Sequence, residues 1–138
     1  MSAVLLDTCA LVNLVLGEPM LPGARAVIRQ ARGASAALVP SVAATEVAQK
    51  VASGKLALAG GATPRTWFAE VMAVPGMVAV GVSIEAALAA YELPEPFHKD
   101  PSDRLIVALS RLLGAPVVTS DGRILDYAAL GHVRAIAC

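Results

Sequence analysis

Apolar and polar positions follow two rhythms along this chain. Short, nearly continuous apolar runs, such as Val4-Leu5-Leu6 and Val117-Val118, alternate with longer stretches whose apolar residues recur every three or four positions. The short runs read as strands buried on both faces, and the longer stretches as amphipathic helices. The pattern predicts strands at 3–6, 36–39, 77–82, 116–119 and 133–137. Helices are predicted at 8–16, 22–32, 41–54, 64–73, 84–91, 101–113 and 124–130. Punctuation supports these limits. Thr8, Ser41 and Ser83 stand where N-caps belong, and Pro64 and Pro101 at first helical positions. Gly17-Glu18-Pro19, Pro75-Gly76 and Gly114 are stop signals, while Leu93-Pro94-Glu95-Pro96 reads as an extended connection. Strands alternating with helices argue an α/β fold of three layers: a central parallel sheet flanked by helices, in one domain over 1–138.

Composition adds a surplus. Hydrophobic residues make up 57% of the chain and charged ones 16%, enough for a core and for an apolar surface that a partner covers. The surplus is densest at 8–16, where Ala10, Leu11, Val12, Leu14, Val15 and Leu16 surround the helix. A second copy or a partner segment is the expected cover. A formal net charge of zero excludes a strong overall field for nucleic acid, so any such contact needs a local patch. Arg25, Arg29 and Arg32 form one basic stripe, which is a solvated face or a phosphate-tracking surface. Lys99, Arg104 and Arg123 lie nearer the acids discussed below. The longest uncharged stretch, 71–84, is too short to span a membrane, and Asp7 interrupts the first apolar run, so a cytoplasmic chain is expected. Cys9 and Cys138 have neither metal nor redox spacing, and Trp67 reads as core or interface.

The chain has only eleven acidic residues, and four fall at one predicted edge of the sheet. Asp7 follows the first strand and Asp121 the fourth, while Glu46 and Asp103 lie early in helices that leave the same edge. That edge, outside the carboxyl ends of parallel strands, is where such sheets bind ligands. Each acid has an ordinary account. Asp7 suits a helix start, Glu46 can pair with Lys50, Asp121-Gly122 can be a turn, and Asp100 with Asp103 resembles a capping box. Together they point to function for Asp103 and leave capping to Asp100. Converging carboxylates repel, so their pKa values rise unless a cation sits among them. A hard divalent ion, Mg²⁺ or Mn²⁺, suits these oxygens. His98 is placed at the mouth of this site, as a loop residue or an acid/base.

The same residues carry a family resemblance. Asp7-Thr8-Cys9-Ala10-Leu11 resembles the opening of PIN-domain ribonucleases, and 41–46 resembles their second acidic motif. His98-Lys99-Asp100-Pro101-Ser102-Asp103-Arg104 resembles the third, and Thr119-Ser120-Asp121 the fourth. The compact length and the third motif look most like VapC-type toxins of toxin–antitoxin pairs. One departure is Asn13, in a helix where the family often has a large aromatic. The resemblance implies a Mg²⁺- or Mn²⁺-dependent endoribonuclease. Asp7, Glu46, Asp103 and Asp121 would be its metal ligands, Thr119 an orienting hydroxyl, and Arg104 and His98 supporting groups. It also implies a homodimer and an antitoxin lying in an apolar groove. Arg25, Arg29 and Lys99 are the candidates for RNA contact. Three alternatives stay open: a PIN-type nuclease of RNA processing without an antitoxin, a haloacid-dehalogenase-like phosphatase, and a binding module whose acids are caps. The phosphatase needs a second Asp two residues after the first, where Cys9 stands.

Overall fold

The structure, a computed structural model, describes residues 3–138. Five strands form one parallel sheet: β1 (Val4–Leu6), β2 (Ala37–Pro40), β3 (Met77–Val80), β4 (Val117–Thr119) and β5 (Ala135–Ala137). Their spatial order is β3-β2-β1-β4-β5, so the chain builds outward from β1 in one direction and then returns to its other side. Leu5 pairs with both Leu38 and Val117 across the centre.

The helices are α1 (Thr8–Leu16), α2 (Pro22–Gly33), α3 (Ser41–Ala52), α4 (Pro64–Ala73), α5 (Ile84–Ala89), α6 (Pro101–Leu113) and α7 (Gly122–Ala129). They divide between the two faces as strand alternation requires. Val4, Leu6, Val39 and Val118 pack with Leu11, Ile28, Val47, Trp67 and Val71 from α1 to α4. Leu5 and Val117 point the other way, onto Ala86, Ile106, Val107, Ile124 and Tyr127 from α5 to α7. The result is the expected three-layer α/β sandwich. Leu5, Leu6, Val117 and Val118 have no exposed surface, so truncating one leucine would cost about 2–5 kcal/mol.

Three local expectations change. The cap of α1 is Asp7, which accepts from the Ala10 N–H, while Thr8 is already helical. Ser41 is the first residue of α3, preceded by Pro40 with no side-chain cap. β3 stops at Val80, because Gly81 to Ser83 leave the sheet for the cap of α5. The helix α1 is also less exposed than its composition suggests. Ala10 and Leu11 are fully buried, and only Val15 and Leu16 among its large apolar residues are exposed. No helix among the described residues is long and apolar enough to cross a membrane.

Candidate metal centre

The sheet order places the carboxyl ends of β1 and β4 side by side, at the point where strand order reverses. Asp7 leaves β1 and Asp121 leaves β4, so the two acids flank that point. From above the sheet, α3 brings Glu46 and α6 brings Asp103. All four line one cleft of about 240 Å³, together with Asp100, Thr8, Cys9, Lys50 and Ile106. The convergence expected from sequence is therefore present, built from four elements far apart in the chain.

Two hydroxyls organise it. Thr119, wholly buried, donates to Asp7 Oδ2 and accepts from the Asp121 N–H at 2.9 Å, tying the two strand ends together. Asp7 Oδ1 accepts from Ala10 N–H at 2.8 Å. Thr8 Oγ1 donates to Glu46 Oε1 at 2.5 Å, so Glu46 is held by α1. No ion pair joins it to Lys50 among the described residues. Each carboxylate oxygen has more than one lone pair, so these bonds aim the acids without exhausting them. Asp121 also caps α7 through Arg123 N–H at 2.8 Å, and Asp100 caps α6 through Ser102 N–H at 2.9 Å.

The electrostatics follow from burial. Burial raises the Asp7 carboxyl above its ordinary value, and Asp121 and Glu46 add repulsion against the bonds from Thr119 and Ala10. Asp103 is pushed up to about 7, first by burial and then by the charges of Asp100, Asp121 and Glu46. Raised acids in a cleft mark functional sites, because structure alone would avoid them. The donor set suits a hard cation: all oxygen, acidic, and mutually repelling without one. Among the described residues no three His, Cys, Asp or Glu side chains are already closed around a point. The four acids line the cleft without meeting at one point.

The basic residues are placed differently. Arg104 is buried, and its guanidinium donates to the carbonyls of Ala90, Phe97 and His98 and to Glu95 Oε1 at 2.7 Å. It cannot track a phosphate; it fastens the loop that carries His98. Lys99 is exposed beside the cleft without lining it. Arg25 and Arg29 are exposed on α2 away from the cleft, and Arg32 bonds Pro75 O at the opposite end of the sheet. His98 Nε2 stands 3.1 Å from Asp103 Oδ2 without the alignment of a hydrogen bond, and Arg123 Nη1 lies 3.1 Å from His98 Nδ1. Because a guanidinium can only donate, Nδ1 is the acceptor in the contact with Arg123. Lys50 was read from sequence as a partner for Glu46; its place in the cleft depends on how α3 packs.

A PIN-domain family profile matches residues 4–130, which includes all four acids. The chain belongs to the PIN-domain family. Solved structures show the same PIN fold. VapBC2 from Rickettsia felis, bound to a promoter DNA fragment, superposes with TM-score 0.67 at 11% identity, covering 98% of each chain. DNA-bound VapBC from Salmonella typhimurium gives 0.66 at 18% identity, over 99% of this chain and 98% of that one. A toxin–antitoxin complex from Klebsiella pneumoniae gives 0.59 at 19%, over 97% and 96%. No curated protein matches this PIN domain significantly by sequence.

Proposed function

We propose that this PIN domain is a Mg²⁺- or Mn²⁺-dependent endoribonuclease of VapC type, held in check by an antitoxin. The observation that carries this reading is the meeting of Asp7, Glu46, Asp103 and Asp121 in one cleft at the strand-order switch point. The family match and the likeness to toxin–antitoxin structures support it.

The four acids would hold the ion, which when bound supplies positive charge against a phosphate and acidifies water for hydrolysis. Thr119 keeps Asp7 pointed into the cleft, and Thr8 does so for Glu46. Among the described residues Lys50 is the one basic side chain lining the cleft, and it would hold a phosphate oxygen beside the acids. A scissile phosphate must reach a recessed centre, so single-stranded loops are the expected substrates. Arg25, Arg29 and Lys99 supply weak, salt-sensitive contacts outside the cleft.

The apolar surface supplies the partners. Val15 and Leu16 at the end of α1, with Leu21 before α2, are 41–54% exposed and would take the antitoxin segment. Ile84 and Leu88 on α5, with Tyr91 just beyond it, are 62–81% exposed and would join a second copy. The test is cleavage of a single-stranded RNA with Mg²⁺, Mn²⁺ or chelator, alongside melting curves in the same buffers. The ions should raise the melting temperature and switch on cleavage, and Asp7→Asn should lose both. Full cleavage by a nuclease-free preparation of that variant sinks the reading.

A further inference from the structure

A second depression, also about 240 Å³, is lined by His98, whose Nε2 stands 3.1 Å from Asp103 of the acid cleft. Phe97 and Tyr127 back it, Arg123 and Asp126 stand at its rim, and Leu130 forms a lip that is 64% exposed. Its floor is rigid. The Phe97 ring rests on Tyr127 with centroids 4.3 Å apart, and the Tyr127 hydroxyl donates to Pro94 O at 2.6 Å. Arg104 binds the Phe97 carbonyl from below at 3.2 Å. Phe97 and Tyr127 belong to the core packing, but the exposed Leu130, with Arg123 and Asp126, lines beside them a depression that the core does not fill.

We propose that this depression is a nucleobase subsite, one that receives a base next to the phosphate held in the acid cleft. The proposal rests on the ribonuclease reading and adds a specificity element to it. A base has a flat, apolar face for the aromatic and leucine lining of this depression, and stacking on aromatic rings is how proteins hold unpaired bases. The volume suits one ring system and is far too small for a helix 10–12 Å across. Asp126 repels phosphates and accepts from N–H donors, so it faces the base edge, while Arg123 faces the backbone. A carboxylate has two oxygens, which match the adjacent N–H donors of guanine and find a single imino N–H on uracil. The subsite therefore prefers guanine.

The test is NMR of methyl- and aromatic-labelled full-length protein, titrated with GMP and with UMP without added metal. Leu130 methyl and Phe97 ring signals should shift, with GMP binding at least about threefold more tightly than UMP. Asp126→Asn should bring the two nucleotides together. Phe97→Leu, which keeps apolar bulk against Tyr127, should weaken GMP binding about tenfold, as expected for one lost stacking contact. In RNA cleavage the same variant should raise KM more than it lowers kcat. Silent Leu130 and Phe97 signals, or equal affinities in the unaltered protein, overturn the subsite, and a pocket that takes only a partner's side chain would give that silence. If the chain cuts RNA and those signals are silent, the nuclease stands without the subsite. If it binds GMP there and cuts nothing, a guanine site stands and the nuclease reading falls.

Discussion

Thr119 shows how much a single buried hydroxyl can govern. It has no exposed surface, and among the described residues it is the only side chain bonded to both the Asp7 carboxylate and the Asp121 backbone. Thr119→Val should leave Asp7 misaimed and lower cleavage about 10–100-fold, the usual cost of losing a group that orients a metal ligand. Thr119→Ser should restore most of it, as steady-state cleavage rates would show. Asp103 allows a test independent of activity. Its folded pKa, about 7, lies above the ordinary 3.8 of the unfolded chain. Between those values the folded state binds more protons, so stability falls as pH rises from about 4 to about 7. Metal-free protein should melt progressively lower across that window, and Asp103→Asn should flatten the slope. A melting temperature that climbs across the window, attributable to Asp103 by the variant, would contradict the burial of this acid.

At the scale of elements, the loop between α5 and α6 depends on Arg104. Four of its donors meet Ala90, Phe97, His98 and Glu95, so an interior residue of α6 holds the segment that carries His98. Arg104→Met leaves three carbonyls without their donor, at about 1–3 kcal/mol for each that stays buried. The expected result is a large drop in melting temperature, with amide exchange rising first in the loop. Gly76 is a second position on which the architecture depends. It joins α4 to β3 at φ +89°, and a Cβ there would sit 2.1 Å from the Arg32 carbonyl oxygen at the end of α2. Left-handed backbone costs about 1–2 kcal/mol for other residues, and overpacking adds about 1–3 kcal/mol. Gly76→Ala should therefore lower the melting temperature by roughly 10 °C, measurable by circular dichroism.

For the whole molecule, the surplus of apolar residues becomes a question of assembly. The stripe Ile84, Leu88 and Tyr91 recurs at four and three residues along one exposed side of α5 and just beyond it. Leu88→Asp should convert a dimer to a monomer by light scattering while leaving the melting of the monomer near that of the original fold, because Leu88 is 62% exposed. A chain already monomeric at working concentration would remove α5 as the dimer face. Leu11 is fully buried against the sheet, so an acid there would unfold the chain and report nothing about partners. Leu16, 46% exposed, is the informative position for antitoxin binding.

Much of this was legible in the one-dimensional pattern, because it depends on neighbours along the chain. Pro64 and Pro101 open α4 and α6, Gly114 closes α6, and the apolar runs become strands, since capping and periodicity act within a few residues. The four acids were visible too, since strand ends and helix starts can be read locally. Boundaries slipped where two neighbouring residues could each cap, as with Asp7 and Thr8. The sheet order was beyond the sequence: nothing local places β4 against β1 rather than at an edge. That adjacency sets Asp121 beside Asp7 and makes Thr119 the link between them. Packing likewise turned Arg104 inward onto carbonyls, set Lys50 in the cleft and hid Leu11 under the sheet. A long side chain can reach several destinations from one backbone position, and only the elements packed around it decide which is lowest in free energy.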